Sequence, residues 1–376
     1  MKKRELIRAL GLGGLGLALG HPALSWNIFR GGERNVARKH WAWVPTDLKS
    51  SADTWKERFK VMRRSGISAI LPEIYNGHRA FYASRHLPGE RTWLEEILPL
   101  AGAEGLEVHA WMWSMPCNVE EVRHNHPDWF AVNHKGESAA EKPAYVDYYR
   151  FLCPSHPDVH HFLKTTVTEL CQYPELAGIH LDYIRYPDVI LPEALQPRYG
   201  LKQDREYPEF DYCYCSLCRR DFQKQTGIDP SEIEDPSADT TWRQFRYDRI
   251  THLVNDTLAP VARAHGKRLT AAVFPDWEHV RQEWPTWRVD AVLPMLYHTL
   301  YHKTVDWIRA ETEKGIRSLK GRAPLYSGIL VGQLSPEDLG SAVRAALDGG
   351  ANGVSLFHAL AMTESHWEGF RRATGG

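Results

Sequence analysis

The stretch GIHLDYIRYP, residues 178–187, runs an apolar segment into one carboxylate, Asp182, then continues with two tyrosines, Arg185 and a proline. Other apolar runs carry polar or aromatic groups of the same kind. SAILPEIY (68–75) holds Glu73, and RLTAAVFPD (268–276) ends on Asp276. LEVHAWMW (106–113) offers His109, Trp111 and Trp113, and DAVLPMLYH (290–298) ends on Tyr297 and His298. Side chains alternate along a strand, so His180 shares a face with Asp182. Carboxylates framed by aromatic walls suit glycoside hydrolysis. One acid protonates the leaving oxygen while the other attacks, or activates water, against an oxocarbenium-like transition state. Asp182 is the leading candidate, as nucleophile or principal carboxylate. Asp276 is the expected general acid/base, with Glu73 in reserve. His180, Arg185, His109, Trp111, Trp113, Tyr297 and His298 are expected to shape a sugar subsite. The competing role for Asp182 is a buried ion pair with Arg185. No serine nucleophile elbow, P-loop or HExxH pair occurs.

These groups need a scaffold that brings strand ends together. Eight short apolar runs, at 39–45, 68–75, 106–113, 176–184, 268–276, 290–298, 323–331 and 352–360, look like buried parallel strands. Segments between them look helical. DTWKERFKVMRRSG puts Trp55, Phe59 and Met62 on one face, and SPEDLGSAVRAALDGG opens with Ser335 as an N-cap. Eight such units predict a (β/α)8 TIM barrel in the α/β class, a single domain over 36–376. No G-x-G-x-x-G follows the first strand, which disfavours a dinucleotide fold. The longest connections, 114–150 and 187–240, leave the C-terminal ends of strands 3 and 4, the face where barrels keep their sites.

Six cysteines are present, and three lie in CYCSLC within the second long loop: Cys213, Cys215 and Cys218. Thiols this close suit a metal better than disulfides, since adjacent-but-one cysteines hardly pair with each other. Disulfides elsewhere in the set, natural outside the cytoplasm, are the alternative. The pairing CPSHP…CYCSLC is similar to the structural zinc cluster of the family-forty-two β-galactosidases, also TIM barrels. That resemblance implies Cys153, Cys213, Cys215 and Cys218 as ligands of a structural zinc, and no organic cofactor is expected.

The 376-residue chain is 43% hydrophobic and 25% charged, as a globular protein should be, with a formal charge of -1. No basic field exists to hold nucleic acid or an anionic membrane. Its 14 tryptophans exceed what the length requires, and indoles suit sugar faces. MKKRELIR followed by ALGLGGLGLALG reads as an export signal over 1–25, twin-arginine-like in KKREL, with cleavage near Ala23 to Ser25. The expected location is periplasmic or extracellular, with no stable span after its removal.

GIHLDYIRYP also resembles the strand-four signature of the family-ten-like bacterial glycosyl hydrolases. GISAILPEIYNGHRAFYAS, GLEVHAWMW, VDAVLPMLYH and GVSLFHAL resemble the second, third, sixth and last strands of that family, so the likeness spans about 40–360. It implies an exported bacterial enzyme acting on a poly- or oligosaccharide, with Asp182 as the catalytic carboxylate. Two departures stand out: EIYNG where the family carries an arginine, and FPDW in place of a Pro-Phe-Gly turn. The alternatives are a non-catalytic glycan-binding barrel, or another polysaccharide-modifying enzyme such as a lyase or a deacetylase.

Overall fold

The computed structural model describes residues 38–375; the expected export signal at 1–25 lies outside them. Eight parallel strands follow one another around a barrel: β1 (His40–Val44), β2 (Ile67–Tyr75), β3 (Glu107–Trp113), β4 (Gly178–Asp182), β5 (Arg268–Val273), β6 (Ala291–Pro294), β7 (Ser327–Leu330) and β8 (Val354–Phe357). Parallel pairing runs unbroken from β1 through β6, with register shifts at His40/Trp41 and Glu73/Tyr75, and β8 returns to β1 through Trp41–Ser355 and Ala42–Leu356. Isolated bridges Val292–Leu325 and Met295–Gly328 nearly close the ring between β6 and β7.

The period of two sorts the strand residues into two cores. Ala42, Ile70, Val108, Ile179, Ala271 and Val292 face outward and pack with the helices. Trp41, Trp43, Ala69, Leu71, Trp111 and Leu293 face inward and fill the barrel. Tryptophans are bulky for a barrel interior, and small residues opposite make room. A Cβ on Gly178 would lie 2.5 Å from His109 Nδ1, and one on Gly328 would lie 3.2 Å from the Trp43 ring.

Six of the seven connections carry a full helix, among them Ala52–Arg64, Trp93–Ala103 and Pro157–Cys171, and Glu364–Thr374 follows β8. The crossover from β5 to β6 departs from the expected eight strand–helix units. It holds only the 3-10 turns Trp277–Val280 and Trp284–Thr286. Pro275 and Pro285 interrupt it, and no helical period runs between them. Trp284 and Trp287 fill the space instead, their indoles donating to Phe274 O (2.9 Å) and Thr251 Oγ1 (3.3 Å).

The long segment after β4 contains a helix that periodicity did not reveal, Ser216–Thr226, capped by the Cys215 sulfur accepting from Cys218 N. A buried ion network ties this segment to the barrel wall. Asp211 pairs with Arg246 and, at 3.3 Å, with Arg281, while Arg281 also pairs with Glu206. Burial would raise the Asp211 pKa, but the two guanidinium groups hold it below its usual value.

Candidate active site

Asp182 is the last residue of β4 and opens into a cavity of about 390 Å³ at the C-terminal mouth. Its Oδ2 accepts from the Trp111 indole at 3.0 Å, and its Oδ1 from the Tyr183 amide at 2.7 Å. Tyr183 sits at φ 50°, a left-handed conformation that costs a residue with a side chain about 1 kcal/mol or more and is typical of functional sites. Burial pushes the Asp182 pKa up to about 6; the Tyr183 amide, Arg185 and Trp111 pull the other way.

Glu73 lines the same cavity from β2. The Trp113 indole donates to its Oε1 at 2.9 Å, and the Thr46 hydroxyl donates to Oε2 at 3.3 Å. Burial raises its pKa, opposed by Thr46 and Trp113 and reinforced by the charge of Asp182. The two carboxylates thus flank β3, whose two indoles serve one each. Strand pairing puts Trp111 beside Glu73 and Trp113 beside Asp182, yet each indole bonds the other carboxylate. The donors therefore cross between the two acids and lock their orientations together.

Arg185 does not pair with Asp182. Its NH1 donates to Asp188 Oδ2 at 2.9 Å and to Tyr186 O, and its NH2 to the Tyr149 hydroxyl at 3.3 Å. The guanidinium lies among the rings of Tyr149, Phe151, Tyr183 and Phe274, within 6 Å of each centroid as cation–π contacts require. Tyr145 donates to Asp188 O at 2.7 Å and accepts from Gln203 Nε2 at 3.0 Å. These bonds join the two long loops into one wall of the cavity.

Trp111, Trp113, Arg185 and Tyr297 therefore lie where the expectation put them, on the cavity lining with Asp182 and Glu73. Four candidates do not. Asp276 is three residues past the end of β5, on an adjoining cavity of about 80 Å³ that shares Asp188, Leu191, Pro192, Phe274 and Tyr301 with the main one. His180 is fully buried beneath the site. Its Nε2 accepts from Trp43 Nε1 at 3.0 Å, so its proton is on Nδ1, 2.9 Å from the Thr270 hydroxyl. Burial keeps it neutral. His109 lies deeper, 3.6 Å from Glu107 at the opposite end of the barrel, and burial lowers its pKa to about 4. His298 is buried outside the cavity lining. The tyrosines at 148, 149 and 183, with Phe274, line the cavity without having been named as site residues. The run YVDYYRF (145–151) inside a long loop was the available signal.

Beside this site, the sulfurs of Cys153, Cys213, Cys215 and Cys218 lie within 4.8 Å of one another, all buried. Contacts of 3.5–3.6 Å join Cys153 to each of the other three. That is far beyond the disulfide length of about 2.05 Å. It is close to the edge of about 3.8 Å in a tetrahedron of thiolates around zinc with bonds of about 2.3 Å. The residues therefore fit a metal ion.

Among solved structures, the glycoside hydrolase domain of PgaB (BpsB) from Bordetella bronchiseptica is similar to this chain, with TM-score 0.69 and 14% identity over 90% of this chain and 99% of that one. The catalytic domain of a β-amylase from Paenibacillus polymyxa gives 0.64 and 9%, over 89% and 97%. A GH42 β-galactosidase from G. stearothermophilus gives 0.58 and 12%, over 85% and 51%. At these identities the likeness speaks for the barrel alone. None of the curated proteins matches. The model of the Glycosyl hydrolase-like 10 family matches residues 35–333, most of the chain, and this protein is therefore a member of that family.

Proposed function

We propose that the protein is an exported glycoside hydrolase that cleaves a poly- or oligosaccharide with Asp182 and Glu73. The observation that carries this reading is the pair itself: two desolvated carboxyls, each held by an indole of β3, on one aromatic-lined cavity. Asp182 is the more buried and is held protonated to about pH 6, so it is assigned as proton donor to the leaving oxygen. Glu73 is the less buried of the two; burial raises its pKa as well, opposed by the Thr46 and Trp113 donors, and it is assigned as base or nucleophile. Asp276 loses the role first given to it, because Glu73 shares the cavity with Asp182 and Asp276 does not. Arg185, Trp111, Trp113 and Tyr297 form the sugar-contacting wall. His180 supports that wall from below through Trp43.

The four cysteines are assigned as a structural zinc site, whose closed set of thiolates leaves no position for substrate. No helix among the described residues is long and apolar enough to cross a membrane. The leader at 1–25 supports export by its composition.

The test is incubation with a panel of cell-wall and plant polysaccharides, with products followed by mass spectrometry. Wild type should release oligosaccharides. Asp182→Asn and Glu73→Gln should each lose at least about a hundredfold in rate, and Asp276→Asn should remain active. Full activity of either of the first two variants would overturn the pair. A glycan-binding barrel would retain the polysaccharides and release nothing.

A further inference from the structure

On the outer side of Trp113 a groove of about 580 Å³ runs over the ends of β2 and β3. Trp113 and Tyr148 line both this groove and the main cavity, so the two are continuous across those rings. Their centroids are 5.7 Å apart at a tilt of 52°. Tyr148 is 43% exposed, which is unusual here: Ile228 is the other large hydrophobic exposed to this degree among the described residues.

An exposed ring on a loop is ordinarily free to swing. This one is fixed at its backbone. Asn118 Nδ2 donates to Tyr148 O at 3.0 Å, and Asn118 Oδ1 accepts from Arg150 NH1 at 3.2 Å. The Asn118 amide in turn donates to Gly77 O at 2.6 Å, and His78 Nδ1 donates to Asn118 O at 2.8 Å. One asparagine thus pins the loop after β2 to the loop that carries Tyr148. Gly77 has φ +76°, and a Cβ there would lie 2.6 Å from Pro116 O and 3.3 Å from the Trp113 ring. That position is kept bare so the loops can close beside Trp113. Arg123 completes the groove. Its one ionic neighbour among the described residues is Glu120 at 3.8 Å and its side chain is 36% exposed, which leaves N–H donors for hydroxyl groups.

We propose that this groove is a second sugar-binding subsite, in which a pyranose ring of the substrate chain stacks on Tyr148 and Trp113 and hydrogen-bonds to Arg123. The substrate then extends beyond the catalytic cavity by at least one sugar on the β2–β3 side, and the enzyme prefers a chain to a simple monosaccharide glycoside. The inference rests on the hydrolase reading for the identity of the ligand as a glycan, and binding tests it separately from cleavage.

The experiment is affinity electrophoresis of the Asp182→Asn protein through gels containing glycol chitin, carboxymethyl cellulose, xylan, galactan or solubilised cell-wall glycan. At least one polysaccharide should retard it. Adding Tyr148→Ala or Arg123→Ala should weaken that retention by about three- to tenfold, while Tyr148→Phe should restore it. Melting temperatures matched to the parent show that each variant is folded. Retention by none of the glycans overturns the subsite. So does a loss with Tyr148→Ala unaccompanied by one with Arg123→Ala, because Arg123 lies outside the main cavity. Retention that depends on both residues without any hydrolysis by the wild type would leave the subsite standing and remove the hydrolase reading. Hydrolysis indifferent to both would do the reverse.

Discussion

Asp182 has no ion-pair partner among the described residues, and the charge of Arg185 only partly offsets its burial. Arg185, three residues away, is committed to Asp188, so the carboxyl meets only two N–H donors and a hydrophobic wall. The folded-state pKa of about 6 lies above the free aspartate value of about 3.9. Between those values the folded chain binds the extra proton, so this residue makes stability fall as pH rises through the window. Asp182→Asn cannot ionise. Its stability relative to wild type should therefore improve by roughly 2 kcal/mol between pH 4 and pH 7, measured as urea midpoints. A difference constant with pH would contradict the assignment. The sequence made Asp182 legible because a lone acid ended an apolar run. It placed Asp276 ahead of Glu73, whereas the structure puts Glu73 on the cavity with Asp182. Glu73 and Asp276 both follow apolar runs, but β2 continues through Glu73 to Tyr75 while β5 stops at Val273. Where a strand stops depends on the neighbour it pairs with, which local sequence does not contain. The histidines were misplaced for a related reason. Alternation gave their face correctly, yet His109 and His180 sit at lower levels of the barrel than the acids above them.

At the scale of elements, the loop after β4 does two jobs. Its start, residues 183–188, walls the active cavity, and its middle carries the cysteine cluster. Arg185 donates to Tyr186 O, and the buried Tyr186 phenol lies within electrostatic reach of Cys153, Cys213 and Cys218. Metal at the cluster would hold that wall in place. Purified protein should contain about one zinc per chain by plasma mass spectrometry. Cys213→Ser should lose the metal and lower the melting temperature, as chelation of the wild type should too. A protein free of zinc whose stability is indifferent to a chelator would exclude a structural site. The cysteine spacing was readable because three sulfurs lie within six residues. The helix at 216–226 was not, because its polar composition and short apolar face, Cys218 and Phe222, do not mark a period.

Across the whole molecule, eight apolar runs at roughly even spacing were enough to give the barrel. What they concealed was its unevenness. The β5–β6 crossover lacks its helix because prolines break it, and two tryptophans fill the gap by packing that only the assembled structure defines. The strands bearing Glu73, the two indoles and Asp182 are neighbours, β2 to β4, and pair over four or five residues at each step. By contrast β7 and β8 are tied to the rest by narrow seams: two bridges to β6 on one side, and the Trp41 and Ala42 pairings to β1 on the other. The ring is therefore two arcs of unequal strength. Amide hydrogens in β7 and β8 should exchange with deuterium sooner than those of β2 to β4, because local opening follows the weakest seam. Equal protection all round would show one cooperative ring. If the arcs do part, the proposed chemistry resides on the arc that stays shut, and the barrel can breathe without either acid leaving the indole that holds it.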